Sequence, residues 1–315
     1  MNIGLDVMGG DFAPLEAIKG VRRFFENHPD TAVHLTLVGD TEKVQPHLSL
    51  VDTWKDKYTF VHATQIIEMD EHPTKAFKEK PDSSIAVGFG LLARKKIDAF
   101  IGAGNTGAML VGAMYSVKTI EGVLRPTIAS FVPRENGSFN LLLDVGINAD
   151  CKPEHLVQFA QLGTMYMERV MGMSRPRVSL LNIGEEEGKG NILAQATYPM
   201  LQQATHINFI GNTEGRDIFL DKADIFVCEG FVGNIILKMA ESVYHIFKEQ
   251  RGVQDDFLDQ FNYELYGGTP ILGINAAVMI GHGISSALAF ENMIVNVERI
   301  VQTELISAMQ QEFTS

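Results

Sequence analysis

Short apolar runs rich in β-branched residues alternate with amphipathic segments of helical period along most of the chain. Runs of this length and composition predict strands that are buried on both faces. The predicted strands span residues 1–7, 33–38, 98–101, 127–132, 141–145, 178–183, 207–210 and 225–228. Strands that alternate with helices in this way predict an α/β fold, a doubly wound and mostly parallel sheet covered by helices on both faces.

The 315 residues contain no internal repeat, low-complexity tract or Pro/Ser-rich linker. We therefore predict a single domain over residues 1–315, or two lobes that pack intimately against each other. Residues 285–311 carry apolar side chains at helical spacing and predict one long amphipathic helix.

Charge and cysteine content narrow the class of protein. The chain has 26 Lys+Arg against 39 Asp+Glu, a formal net charge of −13, and so acidic a surface repels the phosphate backbone of nucleic acids. The two cysteines, Cys151 and Cys228, form no CxxC pair, which argues against a disulfide framework or a thiolate metal site. With no basic n-region at the start and no apolar run near the roughly 20 residues that cross a bilayer, we expect a cytoplasmic protein.

Loops rich in Gly, Asn, Asp and Glu follow six of the predicted strands. They read MGGD (8–11), GAGNTG (102–107), DVGIN (144–148), NIGEEEGKGN (182–191), GNTEGRD (211–217) and EGFVGN (229–234). Ligands of open parallel sheets bind beyond the carboxyl ends of the strands. We therefore expect these loops to converge at one rim and to form the functional site.

GAGNTG opens a helix at Asn105 and matches GxGxxG, the dinucleotide fingerprint. The fingerprint needs an acidic residue at the end of the next strand, where this chain has Pro133 and Arg134. An NAD-dependent dehydrogenase is therefore disfavoured, whereas Arg134 leaves an NADP-dependent dehydrogenase as a rival and a tight strand-to-helix turn as the simpler alternative. Either dinucleotide would be held through its phosphates by backbone N–H groups at the start of the helix. We predict phosphate or substrate binding by Gly104, Asn105, Thr106 and Gly107.

Two further loops suggest an anion site. NIGEEEGKGN places Lys189 between Gly188 and Gly190, where the backbone can approach a ligand closely while the ammonium meets its charge. A solvated acidic turn is the alternative. In EGFVGN, Asn234 stands at the start of a predicted helix, where it is either an N-cap or a group that polarises a bound phosphate.

The sequence gives little support for a metal site or for a nucleophilic cysteine. The sequence has no HxxxH or HExxH spacing, and His282 follows an apolar strand, so we predict a buried histidine, no metal and no cofactor. Cys151 precedes a predicted helix at Pro153, where a lowered thiol pKa would make a nucleophile, but a small buried residue is the favoured alternative.

Taken in order, the segments of this chain resemble one family. They include MNIGLDVMGGDFAP, GAGNTGAML, LLLDVGINADCKPEHLVQFA, RPRVSLLNIGEEEGKGN, INFIGNTEGRDI, EGFVGNIILK and YGGTPILG. Over nearly the whole length they resemble the bacterial acyl-[acyl carrier protein]:phosphate acyltransferases. The resemblance implies an isocitrate/isopropylmalate dehydrogenase-like, phosphotransacetylase-like fold. It also implies reversible transfer of a long-chain fatty acyl group from acyl-[acyl carrier protein] to inorganic phosphate, which gives acyl phosphate for phospholipid biosynthesis.

The same resemblance assigns residues and partners. It implies that Lys189 and Asn234 are catalytic. The glycine loop 230–233 itself adds Gly233 as a predicted phosphate contact. It implies a homodimer at the inner face of the cell membrane, a peripheral membrane contact, and a downstream membrane glycerol-3-phosphate acyltransferase that uses the product. The chain departs from the family pattern in HGISSA (282–287), where the family has an HGSSD-like run, and at Ile147 and Glu229, where alanine and aspartate are usual.

The sequence also suggests how transfer proceeds. We favour direct attack of phosphate on the thioester over a covalent acyl-enzyme, because no serine or cysteine stands beside an obvious His–Asp base. A non-catalytic phosphate or acyl-phosphate sensor remains a second rival.

Two surface features are candidates for partner contacts. Acyl carrier proteins are acidic, so docking on this acidic chain needs a local basic patch, for which Arg94, Lys95 and Lys96 are the densest cluster. Cations that simply complement a helix dipole are the alternative. Phe257, Leu258 and Phe261 form an apolar face that either enters lipid or packs in the core or in a dimer.

Overall fold

The computed structural model describes residues 1–314. Its strands are β1 (Asn2–Asp6), β2 (His34–Gly39), β3 (Tyr58–His62), β4 (Ala99–Gly102), β5 (Thr127–Pro133), β6 (Phe139–Leu143), β7 (Arg177–Asn182), β8 (Asn208–Glu214), β9 (Ile225–Val227), β10 (Thr269–Leu272) and β11 (Ala277–Ile280). Its α-helices are α1 (Leu15–Asn27), α2 (Thr41–Val44), α3 (Pro73–Glu79), α4 (Ser84–Ala93), α5 (Thr106–Gly112), α6 (Pro153–Arg169), α7 (Ile192–Gln203), α8 (Gly230–Tyr244), α9 (Asp256–Asp259), α10 (Ala287–Gln302) and α11 (Leu305–Thr314). Helical turns of other types span Gln45–Trp54, Ala113–Val117, Gly215–Asp217, His245–Gln250 and Tyr263–Leu265.

The chain forms two units, each with its own core. Unit 1 comprises residues 1–119, 264–270 and 274–306. Unit 2 comprises, among the described residues, 120–263, 271–273 and 307–314.

In unit 1 the strands follow the order β3, β2, β1, β4, β11 and the first half of β10. All pairs from β3 to β11 are parallel, and β10 pairs with β11 in the antiparallel sense. Leu5, Leu35 and Phe100 on these strands are fully buried. Because parallel strands point the same way, the carboxyl ends of β1, β4 and β11 lie at one edge of this sheet.

In unit 2 the order is the second half of β10, then β5, β6, β9, β7 and β8. The strand β5 is antiparallel to both of its neighbours, whereas β6, β9, β7 and β8 are mutually parallel. The carboxyl ends of these four strands therefore share one edge.

A partly buried ion cluster links the end of β5 to the starts of β6, β7 and β9 in unit 2. Arg134, 6% exposed, donates to Asn140 and to the carboxylates of Asp221 and Asp224, and Arg177 donates to the same two carboxylates. Burial alone would raise the pKa of Asp224, but the hydrogen bonds from Arg177 and Arg134 lower it to about 2. The Arg134 guanidinium is engaged within the core, so it is not available for a nucleotide phosphate, and the NADP alternative loses its only support.

Each of the eight predicted strands coincides with an observed strand, and the mostly parallel α/β class is confirmed. The edge strand β3 was not predicted, because it is only half buried and its pattern is mixed. Neither was β10, which contains Pro270, and β11 was indicated only as the apolar strand before His282.

The prediction of one long helix over 285–311 was wrong. Helix α10 ends at Gln302 and α11 begins at Leu305. Between them Glu304 has φ of +52°, and a left-handed residue interrupts a right-handed helix.

Candidate active site

Three loops meet at the carboxyl edge of unit 1. A Cβ at Gly9 would lie 2.4 Å from the backbone nitrogen of Gly104, which brings MGGD against GAGNTG. The N–H of Asp11 donates to the carbonyl of Gly283 at 2.7 Å, which adds HGISSA. The glycines are therefore needed where one backbone passes directly over another.

Asn105 holds the GAGNTG loop rather than offering its amide to a ligand. Its Oδ1 caps α5 by accepting from the Ala108 N–H at 2.9 Å. Its Nδ2 donates to the carbonyls of Glu68 and Glu71, both at 3.0 Å, and the residue is 4% exposed. Both polar atoms of the amide are engaged, so the side chain has a capping role, and phosphate binding at Asn105 stays a prediction for the backbone N–H groups of the loop.

The other residues of the motif have simple local roles. A Cβ at Gly107 would lie 2.3 Å from Pro73 of α3, so this glycine permits helix packing. Gly104 is buried under Gly9, and Thr106 is exposed. The tight strand-to-helix turn, the simpler alternative for GxGxxG, accounts for these contacts.

Asp6 is a buried carboxyl at the end of β1 that the sequence reasoning missed. It is 1% exposed, and its Oδ1 accepts from the Met8 N–H at 2.9 Å. Burial raises its pKa to about 6, against the lowering effect of the Ser84 hydroxyl and the Met8 and Gly9 N–H groups. The available signal was an aspartate directly after an apolar strand and before two glycines.

Four loops lie at the carboxyl edge of unit 2, and DVGIN is organised around one carboxylate. Asp144 is fully buried and accepts from the backbone N–H groups of Gly146, Ile147 and Asn148 at 3.1, 3.2 and 2.8 Å. The side chain of Asn148 adds a bond of 2.7 Å. Burial nevertheless raises the pKa of Asp144. The structural-turn interpretation of this loop is confirmed.

The helix after EGFVGN starts earlier than predicted. Helix α8 begins at Gly230, and the Glu229 carboxylate caps it by accepting from the Val232 N–H at 3.2 Å. Asn234 is therefore the fifth residue of α8 and not its N-cap. Its exposed side chain donates to the carbonyl of Val145 at 3.2 Å, which links it to the DVGIN loop.

Gly233 allows this link to form. A Cβ at Gly233 would lie 1.8 Å from the carbonyl oxygen of Asp144, so no other residue fits between α8 and the DVGIN loop. The contact sets the distance between the first turns of α8 and Val145. Gly233 thus supports Asn234 through packing.

Lys189 lies in the segment 183–191, here called the lysine loop, which joins β7 to α7. Its side chain is 50% exposed, and Nζ approaches the Glu186 carboxylate only to 3.8 Å. Two carboxylates of the unit are already neutralised by Lys222, which pairs with Glu185 and, at 3.3 Å, with Asp217. The Lys189 ammonium therefore remains accessible to an anion at the sheet edge.

Neither cysteine is prepared to act as a nucleophile. Burial, reinforced by the negative charge of Asp144, raises the pKa of the Cys151 thiol to about 12. Burial also raises the pKa of the Cys228 thiol well above its ordinary value. Cys228 is buried and Cys151 is partly buried, so the favoured alternative for Cys151, a small residue without a nucleophilic role, agrees with this chemistry.

The predicted partner contacts differ in exposure. Arg94, Lys95 and Lys96 are all exposed in the turn between α4 and β4. Phe261 is 7% exposed and packs against the rings of Phe219 and Phe257, so its predicted lipid contact is corrected to core packing.

Solved structures share the fold of this chain. A phosphotransacetylase from Streptococcus pyogenes aligns with a TM-score of 0.64 at 16% identity and covers 96% of this chain and 94% of its own. A phosphotransacetylase from Staphylococcus aureus gives a TM-score of 0.61 at 16% identity, with 95% and 94% covered. The fold is therefore phosphotransacetylase-like, as the resemblance implied.

Sequence relatives carry the identification further. The profile of the family described as "Fatty acid synthesis protein" matches residues 1–308. A "Phosphate acyltransferase" from Desulforamulus reducens is 42% identical, with 99% of this chain and 97% of the relative covered. One of the same name from Chlorobaculum tepidum is 43% identical, with 94% and 96% covered. The chain belongs to this family and is an acyltransferase, which excludes the non-catalytic sensor.

Within residues 1–314, no helix combines the length and the apolar character needed to span a bilayer. In the same part of the chain, no group of three or more His, Cys, Asp or Glu side chains is arranged to hold a metal ion.

The pKa of Asp6 predicts a pH dependence of stability. Between its ordinary pKa of 3.8 and about 6, the unfolded chain ionises Asp6 while the folded chain keeps it protonated, so the free energy of unfolding falls as the pH rises. The shift corresponds to about 3 kcal/mol. Asp6→Asn should remove this fall, whereas Asp56→Asn at an exposed position should retain it. Urea unfolding at several pH values measures the difference, and parallel curves for Asp6→Asn and wild type would contradict the assignment.

Proposed function

We propose that this acyltransferase moves a long-chain fatty acyl group reversibly from acyl-[acyl carrier protein] to inorganic phosphate. The product, acyl phosphate, then serves glycerol-3-phosphate acylation by a membrane acyltransferase in phospholipid biosynthesis. The observation that carries the proposal is the accessible Lys189 ammonium at the strand edge of unit 2, in a chain whose full-length relatives are named phosphate acyltransferases.

Lys189 has the chemistry to bind phosphate. Its ammonium is half exposed and only loosely approached by Glu186, and the adjacent glycines leave the backbone open to a bound anion. A phosphate held by a cation is oriented for attack, which contributes a large part of the rate in reactions of this kind. The loop 104–107 in unit 1 remains a proposed phosphate or substrate contact through backbone N–H groups of Gly104, Asn105, Thr106 and Gly107.

Transfer itself needs one bond to form and one to break. A phosphate oxygen attacks the thioester carbon, the carbonyl oxygen becomes an oxyanion, and the C–S bond then breaks to release the carrier thiolate. One N–H of the Asn234 amide is bound to the carbonyl of Val145, and the second, which has no partner in the described part of the chain, can donate to the oxyanion. The raised pKa values of both cysteine thiols favour direct transfer over an acyl-enzyme.

The first test of the proposed transfer measures the carrier-protein thiol that the reaction releases. Release of free carrier-protein thiol from palmitoyl-carrier protein should require inorganic phosphate, and Lys189→Ala and Asn234→Ala should each reduce the rate by about 10²-fold or more, as expected for the loss of a group that stabilises the transition state. Lys55→Ala and Asn208→Ala, at surface positions, serve as controls and should retain the wild-type rate. Phosphate-independent release, or full activity in both site variants, would refute the proposal.

We propose that the carrier protein docks at Arg94, Lys95 and Lys96. All three side chains are exposed at the end of α4, and a local positive patch lets an acidic partner approach a chain of net charge −13. Helix capping alone does not require three successive cations.

Charge reversal tests this patch. Glutamate at positions 94, 95 and 96 should raise the carrier-protein KM about tenfold or more at low salt and leave kcat unchanged, because rim charges act mainly on encounter. The control reverses Arg22, Lys43 and Lys55, three exposed cations of the same unit, with the same change in net charge. Equal KM values for the two triple variants would remove the patch from the docking surface.

We further propose that the protein is a homodimer in peripheral contact with the inner face of the cell membrane. Phe257 and Leu258 are partly exposed on α9 and remain candidates for lipid contact, although Phe261 is not. The acidic residues Asp255, Asp256 and Asp259 on the same segment would not attract anionic headgroups, so binding must be hydrophobic.

Liposome flotation tests the membrane contact. The double variant Phe257→Ser/Leu258→Ser should lose most of its flotation, since each apolar side chain withdrawn from water contributes about 1.5–3 kcal/mol. Leu124→Ser/Met200→Ser removes two exposed apolar side chains elsewhere and should float like wild type. Undiminished flotation of the first variant would place the contact elsewhere or nowhere.

A further inference from the structure

Asn212 of β8 bonds to the lysine loop from the neighbouring strand. Its Nδ2 donates to the carbonyl oxygen of Glu186 at 2.9 Å, and the residue is 7% exposed. In the parallel register it lies opposite Leu180 of β7, two residues before that strand ends. The contact is therefore made from inside the sheet edge, where the strand fixes the donor in place.

The carbonyl that accepts this bond also closes the turn that carries Lys189. The Lys189 N–H donates to the same Glu186 oxygen at 3.1 Å. Asn182 holds the other side of the lysine, since its Nδ2 donates to the Lys189 carbonyl at 3.1 Å. The backbone N–H and carbonyl of Lys189 are therefore both hydrogen-bonded. Asn212 in turn holds the Glu186 carbonyl that accepts from the Lys189 N–H.

The second polar atom of Asn212 makes the position unusual. Its Oδ1 is buried and has no hydrogen-bond partner within residues 1–314. An unsatisfied buried acceptor costs about 1–3 kcal/mol. An apolar residue of similar volume avoids that cost, so the local packing gives no reason for an amide at this position except the bond to Glu186.

We propose that Asn212 is a positioning residue that holds the turn at Glu186 so that the Lys189 ammonium is directed at inorganic phosphate. The inference rests on the proposed role of Lys189 and adds to it the residue that fixes its orientation. Asn212 acts through the backbone of the lysine loop and does not itself contact the phosphate.

The test compares two asparagines of one strand. Asn208, at the start of β8, donates to the carbonyl of Arg175 at 3.1 Å, which is the same kind of bond at the other end of the strand. Asn212→Leu should weaken phosphate binding about tenfold and raise the phosphate KM equally, with the acyl-donor KM and the Tm retained or the Tm raised. Asn208→Leu should leave phosphate binding unchanged. Binding is measured as the rise in Tm with inorganic phosphate, which needs no turnover.

A double-mutant cycle separates this inference from the proposed function. In a Lys189→Ala background, Asn212→Leu should have no further effect on phosphate binding, because the two residues act through one interaction. If Lys189→Ala abolishes binding and Asn212→Leu alone does not change it, the positioning role is wrong and the proposed function stands. If Asn212→Leu lowers the Tm and raises the KM for phosphate and for the acyl donor equally, Asn212 has only a structural role. Wild-type phosphate binding by Lys189→Ala would overturn the role of Lys189 and this inference with it.

Discussion

Parallel strand pairing is the constraint on which the polar loops of each unit depend. In unit 2 the ladders among β6, β9, β7 and β8 bring four strand ends to one edge, and in unit 1 those of β1, β4 and β11 do the same. A parallel sheet needs a helix between successive strands, so each loop at this edge leads from a strand towards a helix. Polar residues that are far apart in sequence thereby become neighbours within their own unit.

Side chains that bond to backbone groups then give these loops their shape. Asp144 accepts hydrogen bonds from three N–H groups of DVGIN, and Asn105 donates to two carbonyls next to GAGNTG. Asn182 donates to the carbonyl of Lys189. Such bonds satisfy backbone groups that would otherwise be buried without partners. Many of the Asn and Asp residues that appear functional in sequence therefore serve the loops, and the accessible lysine stands out against them.

The same distinction separates structural charge from available charge. Arg134 and Arg177 are committed to Asp221 and Asp224, and Lys222 is committed to Glu185 and Asp217. Lys189 has only a distant carboxylate, at 3.8 Å. In a chain of net charge −13, a cation left accessible at a sheet edge is a local attraction for a small anion.

The sequence by itself determined the fold class and eight of the strands, because the period of apolar residues reports burial directly. The ordered set of loop motifs also identified the family, and with it Lys189 and Asn234 as the residues to examine. Tertiary structure alone decided what the other polar residues do. In the folded chain Asn105 caps α5, Arg134 is buried in an ion cluster, and Asn234 lies in the second turn of α8. The last predicted helix is interrupted at Glu304, and Asn212 bonds to the lysine loop. The physical reason is that a hydrogen bond depends on the partner that folding brings within about 3 Å, and no local pattern in the chain specifies that partner.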